Sequence, residues 1–423
     1  MASPRRLAVL LEGRQVATLE RTRSTLRLHY LNDSAAQTPL SLSLPRGGDH
    51  TGATVDRFIS ALLPDNSDAL RAVARQHGID PQDHMAMLRA IGMDCAGSIQ
   101  FCAEDEVEST IAREGRLEPF SDSDIEARLA DLDMNEAASW TMPEEHWSLG
   151  GTQQKFALRL EGGSWHVAHG AEPTSHIIKP GIRRMTLQAL TEHATMMAAS
   201  RLGIPTAGTM YREFKSQPAL VVERFDRARR ANGDLMRLHQ EDLCQALGNP
   251  EKHEDVGGPS AAAIVRILDG AAASKAEADR SIADFLDMVI FNTIVGAPDA
   301  HARNYAVMLS GDRVTLAPMY DAASGAAYEL RAGSEPAVSM SIGGEFVISR
   351  IGADNWKIFA EDVGLGPEYI AERIEHFADR APSALLDVLR EMDSPEAEVL
   401  IGRMKKPLES LAGIALRAIS HLA

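Results

Sequence analysis

The chain has 423 residues, long for a single core, so two or three domains are expected. With 44% hydrophobic and 24% charged residues it has the balance of an ordinary soluble globular protein. A formal net charge of −17 repels phosphate backbones and excludes strong unaided DNA binding, while it suits a basic protein partner or simple solubility equally well. Three cysteines (Cys95, Cys102, Cys244) are too few and too scattered for a disulfide framework or a zinc site, and fit reduced thiols in the cytoplasm. No secretory h-region is evident, because Met1-Ala-Ser-Pro-Arg-Arg gives way only to Leu7-Ala-Val-Leu-Leu. The longest apolar stretch, around 282–297, is interrupted by Asp284, Asp287 and Asn292, so it reads as a buried helix and not as a membrane span.

In chain order, two or three short strands are expected over residues 5–30 (Leu7–Leu11, Gln15–Leu19, Leu26–Tyr30), followed by helical sequence over 54–91. The acidic stretch Glu104 to Asp133, with a helix near Ser123–Leu132, reads as a link to the next unit. There Ser148-Leu-Gly150-Gly151-Thr152-Gln153-Gln154-Lys155 opens a strand marked by Phe156, Leu158 and Leu160. A Gly-Gly turn lets backbone N–H groups approach an anion, though taken alone it is more often an ordinary hairpin turn. After Gly162-Gly163 comes a second strand, and Ile177-Ile178 then runs directly into Lys179, which is suited to phosphate oxygens. No G-x-x-x-x-G-K-[S/T] loop occurs.

The helix predicted over Leu187–Gly203 carries Glu192 near its middle, where a carboxylate would hold Lys179 in place. The strand Pro218–Glu223 ends in Glu223-Arg224-Phe225-Asp226-Arg227. It reads either as a hinge whose backbone meets an adenine or as a buried strand ending in a solvated charge cluster. Beyond it the pattern is mainly helical: 240–247, 260–270, 280–296, 354–362, 367–378, 381–391 and 395–420. Asn249–Pro259, rich in Gly and charge, is a mobile-loop candidate.

The chemistry concentrates between 299 and 321. Asp299-Ala-His301-Ala-Arg303-Asn304 has the five-residue Asp-to-Asn span of a kinase catalytic loop, and Tyr320-Asp321 supplies a second carboxylate beyond a short hairpin. Alone, this segment also reads as a polar turn after Pro298. Five elements in the order Gly loop, strand Lys, helix Glu, hinge and catalytic Asp/Asn with metal Asp make a kinase site the better reading.

These motifs resemble the HipA family of serine/threonine kinases, toxins of bacterial HipBA modules. The likeness rests on Ser148–Lys155, Thr174-Ser-His-Ile-Ile-Lys179, Val222–Arg227, Gln240–Gln245, Asp299–Asn304 and Met319-Tyr-Asp321. In the N-terminal part it rests on Pro39–Pro45, Phe58, Leu62-Leu-Pro-Asp65 and Ile91–Gly97. Gln154 and Arg303 depart from the Glu and Lys common in the family, and Ala300 from the Gly of some members, without removing a base or metal ligand.

The resemblance implies an α+β, protein-kinase-like two-lobed fold with an extra N-terminal α/β subdomain (1–110). An N-lobe (111–235) and a mainly helical C-lobe (236–423) would follow. It implies ATP and Mg2+ as cofactors, Asn304 and Asp321 as metal ligands, and Asp299 as base. ATP would meet Gly150–Lys155, Lys179, Glu223–Phe225 and Tyr320, with His301 (a turn residue or a phosphate contact) and Arg303 behind them. It also implies inhibitory autophosphorylation at Ser148 and an aminoacyl-tRNA synthetase as target, glutamate–tRNA ligase first. The expected partner is a HipB-like helix-turn-helix antitoxin, through which alone operator DNA is reached. A silent kinase-like scaffold and a small-molecule kinase are the alternatives.

Overall fold

The computed structural model describes residues 4–22, 25–31, 37–135, 138, 140–142, 144–330 and 332–420. Alternating burial along Thr25–Tyr30 and near-continuous burial along Arg6–Leu11 place these strands in a five-stranded sheet. Its order is Asp49–Thr51, Thr25–Tyr30, Arg14–Thr22, Arg6–Leu11, Ile99–Cys102, each neighbour antiparallel. The helical stretch is three helices, Ala53–Ala61, Ser67–His77 and His84–Ile91. Asn66 caps the second, accepting from the N–H groups of Asp68 and Ala69, and Gly78 ends it in the left-handed conformation. Val55, Phe58, Ile59, Leu88 and Ile91 close the core of this N-terminal unit.

A six-stranded sheet follows, in the order Thr209–Phe214, Gln217–Glu223, His176–Lys179, Phe156–Glu161, Ser164–Gly170, Gly115–Pro119. The acidic stretch is therefore no mere link. Gly115–Pro119 is an edge strand of this sheet, and the helix Asp122–Met134 buries Ile125, Leu129 and Leu132 against its core with Trp140 and Phe156. The helix Gln188–Arg201 is buried on most sides, and its many alanines and threonines let strands and helices approach closely.

The helical lobe is built on Lys275–Ile294, Pro367–Glu391 and Pro395–Ile419, around Phe285, Phe291, Trp356 and Phe377. Two expectations change here. Residues 367–391 form one helix through Pro382, because Ala381, Leu385, Leu386 and Leu389 remain buried on the same face. Residues His239–Asp242 are a strand paired with Ala306–Ser310, and the helix starts only at Leu243, where Asp242 and Gln245 form a capping box. Among the described residues no helix is long and apolar enough to cross a membrane.

Candidate active site

The register of the N-lobe sheet sets the ceiling of a cleft between the lobes. Lys179 stands opposite Leu220 and Ile177 opposite Val222, so strand alternation sends Lys179 and Ile177 towards the cleft. Lys179 Nζ donates to Glu192 Oε1 at 2.8 Å and also pairs with Asp321 Oδ1. Gln188 Nε2 fixes the other Glu192 oxygen at 3.0 Å. Burial opposes the charge on Lys179, but the two carboxylates outweigh it and raise its pKa. Burial likewise disfavours the charged form of Asp321, yet Lys179 and Lys155 hold its carboxyl well below the usual range. Burial raises the Glu192 pKa, against the pull of Lys179. Asp321 adopts φ +57°, a left-handed conformation that costs a non-glycine residue roughly 1–2 kcal/mol and that aims its side chain at Lys179.

The Gly loop lies across this ion triad. Gly151 has φ +97°, a conformation that residues with a Cβ rarely adopt, and a Cβ there would stand 2.6 Å from Lys155 Nζ, which would have to shift. Lys155 folds under the loop and donates to Gly150 O at 2.6 Å. Burial, reinforced by Lys179, depresses its pKa to about 8. Gln153 Nε2 reaches Gln188 Oε1 at 3.1 Å, tying loop to helix. Gln154 instead donates to Asn135 O at 3.4 Å and does not line the cleft.

Opposite lies the catalytic loop. Asn304 Nδ2 donates to Asp299 O at 2.6 Å, and Tyr320 Oη donates to Arg303 O at 2.7 Å. The Asp299 side chain is 71% exposed at the cleft mouth. The surrounding walls raise its pKa and Asp321 adds to this, with Lys252 opposing, but such exposure leaves the effect weak. His301 is only 4% exposed, and burial lowers its pKa to about 4, so its ring is neutral. Phe225 and Tyr320 lie 5.4 Å apart and tilted by 31°, an apolar plate beside Ile177 and Val222. The cleft between these walls measures about 370 Å³, within the range of small-ligand sites. Asp321 and Asn304 both face it with oxygen ligands, the hard donors magnesium takes.

Two matches span most of the chain: the HipA N-terminal domain over residues 7–102 and the HipA-like C-terminal domain over 147–385. The protein named "Putative kinase Y4mE" of Sinorhizobium fredii is 31% identical over 388 residues, 90% of each chain. The chain belongs to the HipA family. The serine/threonine-protein kinase toxin HipA of Shewanella oneidensis is 28% identical over 384 residues, 88% of this chain and 86% of its own. A solved structure of Shewanella oneidensis HipA with HipB and operator DNA aligns with a TM-score of 0.84 at 26% identity. That alignment covers 98% of this chain and 99% of the other. The α+β, two-lobed HipA architecture with its N-terminal subdomain is thus the fold of this chain.

Within this HipA frame the charged segment after Glu223 lines the cleft, but its charged side chains are not solvated. The Glu223 N–H donates to Gly208 O at 2.8 Å and the Arg224 N–H to Ser175 O at 3.0 Å. Arg224 borders the cleft, but its guanidinium is buried between Asp226 (2.8 Å) and Asp94 (3.1 Å). Arg227 and Arg237 reach Asp94 at 2.8 and 2.7 Å, and the Gly97 N–H donates to Asp226 at 2.6 Å. Three arginines and two aspartates thus lock the N-terminal unit onto the hinge. Desolvation disfavours the ionised Asp94, but the three guanidiniums drive its pKa far below normal.

Ser148 is fully buried, pairs in parallel with Cys95, and donates to Leu62 O at 2.6 Å. Asn249–Pro259 contains a short turn at Glu254–Val256, and Glu254 holds Ser341 through bonds of 2.7 and 2.9 Å. Three cleft residues carried no assigned role in the sequence. Asp65 accepts the Gly151 N–H at 3.2 Å and pairs with Arg303, joining the Gly loop to the catalytic loop. Lys252 lies beside Asp299, and burial lifts the Asp242 pKa to about 6. Asp65 belongs to the quoted Leu-Leu-Pro-Asp motif and Asp242 to the quoted Gln240–Gln245 motif; for Lys252 no spacing signal exists.

Proposed function

We propose that this chain is a serine/threonine protein kinase toxin that uses Mg-ATP. The observation that carries this reading is the Lys179–Glu192–Asp321 triad facing Asp299 and Asn304 across one cleft. Gly150–Thr152 and Lys155 cover the phosphates, and Lys179 neutralises α/β-phosphate charge while Glu192 keeps it in place. The plate of Phe225, Tyr320, Ile177 and Val222 receives the adenine. Asn304 and Asp321 would hold magnesium, which would supply positive charge to neutralise the phosphates. Asp299 accepts the proton of a substrate serine hydroxyl as its oxygen bonds to the γ-phosphorus and the bond to the bridging oxygen breaks, releasing ADP.

A HipB-like antitoxin is the proposed partner, by analogy with the Shewanella complex, and operator DNA would be reached through it. The target proposed from the resemblance is an aminoacyl-tRNA synthetase, glutamate–tRNA ligase first, whose phosphorylation would arrest growth. The test is transfer from radiolabelled ATP to proteins of a cell lysate. Asp299→Ala and Asp321→Ala lower transfer on the order of 10³-fold or more, whereas Asp312→Ala, in an exposed hairpin turn, leaves it intact. Full activity in Asp321→Ala overturns the magnesium assignment.

A further inference from the structure

Beside the catalytic carboxylate lies a second set of ligand atoms. His253, Asp299 and His301 each offer one atom, all within 4.8 Å of one another. His301 Nε2 stands 3.6 Å from Asp299 Oδ1. Two ligands bound tetrahedrally to zinc at about 2.0–2.1 Å lie roughly 3.4 Å apart, so this pair is already spaced for a shared ion. The His253 and His301 rings meet edge to face with centroids 4.9 Å apart. The exposed Asp299 side chain is free to rotate the remaining distance.

His301 supplies the second observation. It is 4% exposed; its Nε2, the nitrogen that faces Asp299, stands 3.6 Å away, too far for a hydrogen bond, and its Nδ1, on the other edge of the ring, is buried without a hydrogen-bond partner among the described residues. A buried imidazole without a partner is costly and rare. Two imidazoles and one carboxylate with an open fourth position are the donor set of a zinc-class ion. Magnesium, which prefers oxygen ligands, is poorly served by it. The scattered cysteines exclude a thiolate site, and this one needs none.

We propose that His253, His301 and Asp299 bind Zn2+, and that the bound ion takes Asp299 out of service and switches phosphoryl transfer off. The metal site stands on this geometry alone; the switching rests on the kinase reading above. His253 comes from the Asn249–Pro259 segment, whose Lys252 carbonyl accepts the Ala302 N–H at 3.2 Å. The ion would therefore clamp that segment to the catalytic loop.

The direct test is titration of the full chain with Co2+, read by the visible absorption of four- or five-coordinate cobalt. One Co2+ per chain is expected, displaced by Zn2+ but not by excess Mg2+. His253→Ala weakens binding about ten-fold or more, and His253→Asp, which keeps a ligand, restores much of it. Absence of a cobalt signal, or equal binding by wild type and His253→Ala, overturns the site. In parallel, Zn2+ inhibits transfer from Mg-ATP, and His253→Ala keeps basal turnover while needing at least ten-fold more Zn2+. Zinc that binds through His253 yet leaves turnover unchanged overturns the switch. His253-dependent zinc binding in a chain that transfers no phosphate would uphold the site and refute the kinase reading.

Discussion

Phosphorylation of Ser148, or its replacement by aspartate, puts a charge where the structure has no room for one. Ser148 is fully buried, its hydroxyl is committed to Leu62 O at 2.6 Å, and its strand pairs with Cys95. Burying an unpaired ion costs several kcal/mol, and a phosphate carries about −1.5 to −2 charges. Escape requires giving up the Leu62 bond and the short Trp147–Ser148 pairing with Asp94–Cys95, at about 0.5–1.5 kcal/mol for each hydrogen bond. Escape is the cheaper course, so the segment leaves its strand and carries Gly150 and Gly151 with it, towards the exposed Arg183 and Arg184. A net bias of about 3 kcal/mol towards the displaced loop weakens nucleotide binding roughly 100-fold. Calorimetric titration with Mg-ATP should find Ser148→Ala within about three-fold of wild type and Ser148→Asp weaker by about two orders of magnitude. Mass spectrometry after incubation with Mg-ATP should find phosphate on Ser148 in wild type and none in Asp299→Ala. Wild-type affinity in Ser148→Asp refutes the reasoning.

Lys155, with a pKa of about 8, is charged below that pH and neutral above it, so nucleotide affinity should fall as the pH rises past about 8. Lys155→Arg removes this dependence, and calorimetry in buffers of different ionisation enthalpy should show proton uptake on binding at pH 9 in wild type only. Asp94→Asn leaves Arg224 and Arg227 with Asp226 as their remaining carboxylate and Arg237 with only the Ala171 carbonyl, and should lower the unfolding free energy by about 3–5 kcal/mol, read from the urea midpoint at constant m; a loss below about 1 kcal/mol contradicts the cluster's role. Because the folded-state pKa of Asp94 is depressed, its contribution is present in full above about pH 4 and is lost as the pH falls from there towards the folded value.

The site was legible wherever local periodicity fixed a residue's direction. Strand alternation placed Lys179 and helical spacing placed Glu192, and the two meet at 2.8 Å. The Asp-to-Asn span placed Asp299 and Asn304 on one loop, joined at 2.6 Å. Long-range pairing carries no such signal. Arg224 was read as a nucleotide contact from its place after the hinge strand, but its partner Asp94 lies 130 residues upstream. Gln154 turns away from the cleft because a single loop residue has no periodicity to aim it. The capping box of Asp242 and Gln245 did mark the true start of a helix at Leu243, whereas helical propensity alone began it at Gln240. The two helices expected over 367–378 and 381–391 are one, because the buried face of Ile370, Ile374 and Phe377 continues past Pro382 into Leu385, Leu386 and Leu389.

The charge lock between Asp94 and the hinge also bears on how the chain acquires its structure during synthesis. Asp94 leaves the ribosome 130 residues before Arg224 and 143 before Arg237. At about 5–20 residues per second, the first of these intervals is roughly 7–26 s. For that time the nascent N-terminal unit holds a carboxylate with none of the cations that make its burial tolerable. The unit must keep this corner open to water, or carry the carboxyl protonated, until the hinge arrives. Its folding therefore cannot be completed in the order of synthesis: the final step of the first unit waits for the middle of the second.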